Sequence, residues 1–260
     1  MTDILVNDFV FIIMIFLRVF SAFATAPIFG HQSIPVTIKV FLAMMISYII
    51  GLSLHDINVN IPLDIWSMSL IGIKEVLTGT IIGFSLNFIF YGISFAGHIM
   101  GFQMGLAISQ IFDPVTEMSG NVVGEILVFA AFMVFFIING HHYIIQALAY
   151  SFRIIPVGGA QLTGTLTGIL IDYSAGIFVL AIKISSPILI SFFLVQVAEG
   201  ILARALPQMQ VFFVTQPIKL GLGFVLISMI IPIYIYVIKN LLKGYEDSLL
   251  NIIKGMVENG

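Results

Sequence analysis

Seven charged side chains sit inside stretches that are otherwise almost wholly apolar: Arg18, Lys74, Glu75, Glu125, Lys183, Glu199 and Arg204. In hydrocarbon a charge is costly and seldom faces lipid, so each such group needs a partner or a task. Two kinds of chemistry fit. A file of ionisable groups can relay protons or ions across a membrane. Alternatively, opposite charges on neighbouring helices or subunits can pair. The set holds four basic and three acidic groups, a mixed and balanced population that favours pairing. A proton pathway would sooner show an isolated acid facing a polar wall. Lys74 and Glu75 are sequence neighbours, so they point about 100° apart on a helix and should not pair with each other.

The segment from Gly97 to Gly124, GHIMGFQMGLAISQIFDPVTEMSGNVVG, is the second unusual feature. Glycines 97, 101 and 105 recur every four residues, which on a helix makes one smooth face where another backbone can come close. Asp113 and Pro114 then stop a helix. Gly120 and Gly124 repeat the spacing, and no lysine or arginine lies between Gly97 and Gly124. Irregular backbone at membrane depth survives only where protein buries it or water lines it. The segment therefore reads as a re-entrant loop inside an assembly or a pore, although spacing alone leaves an ordinary loop between two spans as the other reading. Gly79-xxx-Gly83 and Gly164-xxx-Gly168 bring the number of such spacings to five, a density that predicts a tightly packed bundle.

The elements that must position these residues are predicted to be membrane helices. The chain is 60% hydrophobic with mean hydropathy +1.14, and only 9% of it is charged, against roughly 25% in ordinary soluble domains. Apolar runs cover about residues 4–29, 36–54, 65–95, 122–155, 173–206 and 220–238. The third exceeds the length of one span, so it tilts, extends beyond the bilayer or contains a break. Asn139-Gly140-His141-His142 interrupts the fourth, as a hairpin turn or a kink. Residues 207–219 read as a proline-bounded connection, and 239–260 as an amphipathic tail carrying Lys239, Lys243 and Lys254. Those lysines place the tail in the cytoplasm. The first apolar run lacks a basic flank and a small-residue cleavage site, so it is expected to be a retained span. No polar stretch is long enough for a soluble domain, and residues 1–260 read as one membrane-embedded domain.

Other chemistries find little support. With no cysteine, disulfides and thiolate metal sites are excluded. His141 and His142 are adjacent and cannot share one helical face, so a turn or interface role fits them better than metal binding. Nucleotide, hydrolase and metalloprotease motifs are absent, and the sequence predicts no enzyme, no cofactor and no metal. The net charge of −3 and the lack of a basic cluster argue against nucleic acid. Twelve methionines and twenty-four phenylalanines could line a deformable passage, but such residues more often serve as plain core or lipid contact.

Four blocks carry a resemblance to a known family. They are RVFSAFATAPIFG from Arg18 to Gly30 with Pro35 following, KEVLTGTIIGF from Lys74 to Phe84, GFQMGLA from Gly101 running into Asp113-Pro114, and ARALPQMQVF from Ala203 to Phe212 ending at Pro217-Ile-Lys219. Together they resemble the FliR family of flagellar biosynthetic membrane proteins, whose virulence counterpart is the T subunit of type III secretion export gates. The similarity spans most of the chain. Gln210 stands where that pattern often has Asn, and Thr215-Gln216 where Gly often precedes the second proline.

The resemblance implies an all-α protein of helical hairpins in the bacterial inner membrane, within the flagellar basal body. It implies a hetero-oligomer with FliP-like and FliQ-like subunits, further contacts with FlhB-like and FlhA-like components, and unfolded polypeptide as substrate. By position, the family's channel plug would be about residues 103–120. Gln103, Met104, Ile108, Ile111, Phe112, Asp113 and Pro114 are then candidate plug residues. The expected function is a non-enzymatic export-gate subunit. The competing expectation, from broken helices and embedded charges alone, is a small-solute secondary transporter. No pair of matching halves in the sequence supports it.

Overall fold

The computed structural model describes residues 2–31, 33–54, 62, 64–106, 122–161 and 163–257. Among them there is no strand. The helices are α1 (Thr2–Thr25), α2 (Val36–Ser53), α3 (Ile65–Ser85), α4 (Asn87–Met104), α5 (Val122–Ile137), α6 (Gly140–Ile154), α7 (Gly164–Ala205) and α8 (Val211–Gly255). Among the described residues, five helical stretches are long and apolar enough to cross a membrane: Asn7–Thr25, Val36–Ser53, Ile65–Met104, Gly164–Ala205 and Val211–Gly255. This is an all-α integral membrane protein. Hydrocarbon offers no water to a peptide group, so each segment must pair its own N–H and C=O groups, which a helix does. Side-chain hydroxyls follow the same rule. Ser47 donates to the Ala43 carbonyl at 2.6 Å, Thr78 to Lys74 at 2.7 Å and Ser228 to Phe224 at 2.8 Å.

Two boundaries differ from those the apolar runs predict. The third run continues to Met104 and is interrupted only at Leu86, between α3 and α4. The proline-bounded connection shrinks to residues 206–210, and α8 runs unbroken through Pro217 and Pro232 to Gly255, taking in most of the tail. A proline removes one backbone hydrogen bond, but leaving the helix in an apolar medium would forfeit many more. In α7, Pro187 cannot donate to the Lys183 carbonyl, and the Ser186 hydroxyl does so at 2.9 Å.

The chain forms two compact units. The first comprises Met1–Phe88, Asn139–Tyr173 and Lys243–Gly260. Here α1 packs on α2 and, more extensively, on α3. Ile15, Val19, Ala22, Phe23 and Ala26 fall at helical spacing and are buried, giving α1 one apolar stripe. Gly79 and Gly83 let α3 press onto it: a methyl group at Gly79 would overlap the Arg18 carbonyl and Ser21 Oγ, and one at Gly83 would overlap the Ala22 carbonyl and Thr25 Oγ1. Asp64 caps α3 by accepting from the Ser67 N–H at 3.4 Å. Thr163 caps α7 by accepting from Leu166 N–H at 3.1 Å, and its hydroxyl donates to Gly255 at 2.6 Å, tying the start of α7 to the end of α8. Asn139, left-handed at φ 58°, begins α6 after the break foreseen near 139–142.

The second unit comprises Ile89–Ile138 and Ser174–Leu242. Its centre is α4, whose Phe90, Ile93, Ala96, Met100 and Met104 are buried in succession. Gly97 of α4 meets the Gly124 backbone of α5, and the Phe90 ring packs at 4.8 Å, tilted, against Phe132 of α5. Phe95 meets Phe178 of α7 edge-on at 5.6 Å. Tyr234 of α8 places its hydroxyl 3.8 Å from the Met100 sulfur.

Candidate functional site

The segment singled out by its glycines leaves α4 at a well-defined point in the second unit. Gly105 adopts φ +83°, the left-handed conformation that ends a helix and that L side chains rarely enter. Gly105 N–H donates to Phe102 and Leu106 N–H to Gly101, both at 3.0 Å, so the last turn closes on its own carbonyls. Three neighbours hold that turn. Gln216 of α8 donates to the Met104 carbonyl at 3.1 Å, and its amide lies where a Gly105 side chain would go. Gly223 of α8 makes room for the Met104 side chain, which is wholly buried. Gln196 of α7 donates to Gln103 Oε1 at 2.8 Å. Nearby along the same two helices, Lys219 of α8 and Glu199 of α7 form an ion pair at 2.6 Å, with side chains 9% and 18% exposed. Glu199 Oε1 is buried and has no hydrogen-bond partner among the described residues. Amides, one ion pair and a helix end thus share the base of the central segment.

A second polar centre lies in the first unit. Arg18 of α1 and Glu75 of α3 are both 0% exposed. Nε donates to Oε2 at 2.6 Å and Nη2 to Oε1 at 3.0 Å, the two-pronged geometry that a guanidinium and a carboxylate share. Nη1 donates to Ser151 Oγ and to the Ile155 carbonyl, each at 3.2 Å, and the guanidinium carbon sits 4.0 Å from the Phe152 ring centroid. The Gly158 N–H donates to Glu75 Oε1 at 2.7 Å. That N–H is aimed by a turn over Pro156–Gly159, in which Gly158 holds φ +78° and Gly159 N–H returns to Pro156 at 2.8 Å. One pair therefore bolts together α1, α3, the end of α6 and the turn after it. Four of the five guanidinium N–H groups and both carboxylate oxygens are used internally, which suits a fixed clamp better than a proton relay.

Comparison with known proteins follows the chain almost end to end. Residues 9–245 match the family described as bacterial export proteins, family 1. The chain belongs to that family. Relatives of this export protein include the flagellar biosynthetic protein FliR of Escherichia coli K12, 30% identical over 239 residues that make up 91% of this chain and 90% of the relative. The FliR protein of Bacillus subtilis is 28% identical over 244 residues, 93% of each chain, and that of Aquifex aeolicus 25% identical over 232 residues, 88% of each.

Within this export protein the residues picked out by sequence scatter widely. Arg18 and Glu75 meet each other. Glu199 meets Lys219, which the sequence reading puts at the end of a connection and outside the charged set. Lys74 is exposed and donates to the Gly158 carbonyl at 3.3 Å. Glu125 is exposed in the first turn of α5, where a carboxylate favours the helix dipole. Lys183 and Arg204 are exposed and form no ion pair among the described residues. His141 and His142 pack ring against ring at 4.3 Å. Of the glycines, 79, 83, 97 and 124 lie at close helix contacts, 101 is buried, and 164 and 168 face open space. Gln103 and Met104 close α4. Ile108, Ile111, Phe112, Asp113, Pro114 and Gly120 lie outside the described residues.

Ser151, Ile155 and Gly158 in the clamp, and Gln196 and Gln216 at the base of the central segment, are the residues that sequence reasoning misses. The only available signals were the PVGG turn sequence and the polar amides in apolar runs, and neither names a partner.

Proposed function

We propose that this chain is a non-enzymatic subunit of the flagellar protein export gate in the bacterial inner membrane, within the basal body. It helps to build the channel through which unfolded polypeptides cross, and residues of about 103–120 plug that channel when it is closed. FliP-like and FliQ-like subunits complete the assembly, FlhB-like and FlhA-like components adjoin it, and the tail from about residue 239 lies on the cytoplasmic side.

The anchored base of the central segment carries this reading. Gly97 touches Gly124, so the points where the chain leaves α4 and enters α5 lie within roughly 20 Å of each other. Residues 107–121 could span up to ~50 Å, far more than bridging needs. A surplus of chain that starts from a pinned helix end, carries no lysine or arginine and includes Ile108, Ile111 and Phe112 suits an apolar stopper. Such contacts are non-directional, so they seal against ions yet yield to a passing polypeptide. Large apolar side chains exposed along α7 and α8, among them Phe193, Leu194, Val197, Phe213 and Val225, call for lipid or unlike subunits around them.

The test is deletion of Gln110–Met118 in the assembled complex, with ion leak across the membrane as readout. The plug reading expects a large rise in leak with the complex still intact. Unchanged leak in an intact complex refutes the plug. Purification of the chain alone or as a homo-oligomer, without unlike small membrane subunits, refutes the gate.

A further inference from the structure

A groove of about 550 Å³ opens on the first unit between the end of α2, the length of α6 and the end of α8. Its size falls in the range of ligand sites, roughly 300–1,000 Å³. The walls are mostly apolar, contributed by Ile49, Ile50 and Ser53 of α2, by Leu54 just after it, and by Leu249 and Leu250 of α8. The floor is α6, where Ile145, Ala147 and Ala149 line the groove beside a row of polar-tipped side chains. Tyr143, Gln146, Tyr150 and Arg153 line the groove at positions i, i+3, i+7 and i+10, one face of the helix. The opposite face, with Ile144, Leu148, Ser151 and Phe152, is buried. Tyr143, Tyr150 and Arg153 on this stripe each join an apolar stem to a polar tip, the residue types that anchor a protein where acyl chains meet headgroups, and Gln146 adds a neutral amide.

Charge separates the possible occupants. Among the described residues, Arg153 is the one charged side chain that lines the groove, and no described carboxylate lines it. Arg153 is exposed and forms no ion pair among the described residues, unlike Arg18 and Lys219. A cation at the rim of an apolar trough, flanked by two tyrosines, in a chain whose helices cross a membrane, complements a phosphate attached to an acyl chain. An uncharged or zwitterionic lipid would fill the trough but give the guanidinium no net counter-charge. A free phosphate would leave the apolar walls uncovered.

We propose that this groove is a binding site for one anionic phospholipid, its acyl chain between α2, α6 and α8 and its phosphate on Arg153 with Tyr150 alongside. The site would act as a fixed lipid contact for the first unit, apart from the plug. The assay takes the full chain in its co-expressed complex, purified in mild detergent, and measures retention of added phosphatidylglycerol or phosphatidylcholine by native mass spectrometry. Wild type should retain phosphatidylglycerol about fivefold over phosphatidylcholine, the weight of one arginine at an anionic lipid surface. Arg153→Gln should bring that ratio to about one, and Arg153→Lys should keep most of it. Ala149→Phe, which fills the groove without altering charge, should lower retention of both lipids. Equal retention of the two lipids by wild type overturns the proposal whatever the variants do. An Arg153→Gln variant with the wild-type ratio also overturns it, and so does a photocrosslinker at Gln146 that captures a protein subunit in place of lipid. None of these readouts depends on whether residues 103–120 plug a channel.

Discussion

Replacing Glu75 by Gln keeps the size of the side chain and removes its charge, and it should be among the most damaging single changes in the first unit. In the native chain the Glu75 carboxylate accepts from Arg18 Nε at 2.6 Å, Arg18 Nη2 at 3.0 Å and Gly158 N–H at 2.7 Å, and neither charged residue has any exposed surface. The substitution leaves a guanidinium buried beside an amide. Breaking one side of a buried pair costs about 3–5 kcal/mol, because the remaining charge keeps its desolvation penalty and loses its counter-charge. For a chain of this size each kcal/mol moves the midpoint by about 2–4 °C, so Glu75→Gln should lower it by about 10 °C. Arg18→Gln should cost a similar amount, stranding the carboxylate instead.

The double variant decides the cause. With both charges gone, two amides face each other, and the remaining cost is weaker hydrogen bonding to Ser151 Oγ, the Ile155 carbonyl and the Gly158 N–H, about 1 kcal/mol each. The double variant should therefore be no worse than either single one, a coupling at least as large as one single cost, about 3–5 kcal/mol. Lys74→Gln, one residue away and exposed, should stay within about 0.5 kcal/mol of wild type. The assay is thermal unfolding of the full chain in detergent at one fixed scan rate, since membrane proteins unfold irreversibly and the midpoint then depends on the rate. Single variants whose costs simply add, to within about 0.5 kcal/mol, would refute the clamp. A Glu75→Gln shift below about 2 °C would do the same.

Two further predictions use the same assay. Gly79→Ala should destabilise by about 1–3 kcal/mol because its methyl group meets the α1 backbone, whereas Gly176→Ala, with nothing within 4 Å, should stabilise α7 by about 0.5–1 kcal/mol; equal effects would show that α3 can move off α1 freely. Gly105→Ala should cost about 1–2 kcal/mol for the left-handed backbone plus displacement of Gln216, and should raise ion leak in the complex; a wild-type midpoint would mean that the end of α4 is not fixed as described.

Composition decides more in this protein than in a soluble one. Once a chain this apolar enters hydrocarbon, helices are the way to pair its backbone, and all the long apolar runs became helices. Glycine spacing was legible but ambiguous. Gly79-xxx-Gly83 and Gly97 with Gly124 sit at close contacts, while Gly164-xxx-Gly168, the same pattern, faces open space. The spacing records that a close approach is possible, and only a neighbouring backbone makes it happen. Helix ends were misjudged where proline suggested a stop, because the rule comes from water, where a broken helix finds other partners.

The sequence by itself determined that Arg18 and Glu75 would need company, since no charge rests alone among so many apolar side chains. It could not say which company. The two lie 57 positions apart, and Lys74 competes for notice beside Glu75. The rotation of α3, set by Gly79 and Gly83 seating on α1, turned Glu75 inward and Lys74 outward, and the turn at Gly158 supplied a third donor that no spacing rule foretells. Local sequence carries the need for a partner because that need is a property of one side chain in one solvent. The choice of partner is a property of how several helices share a core, and only their packing decides it.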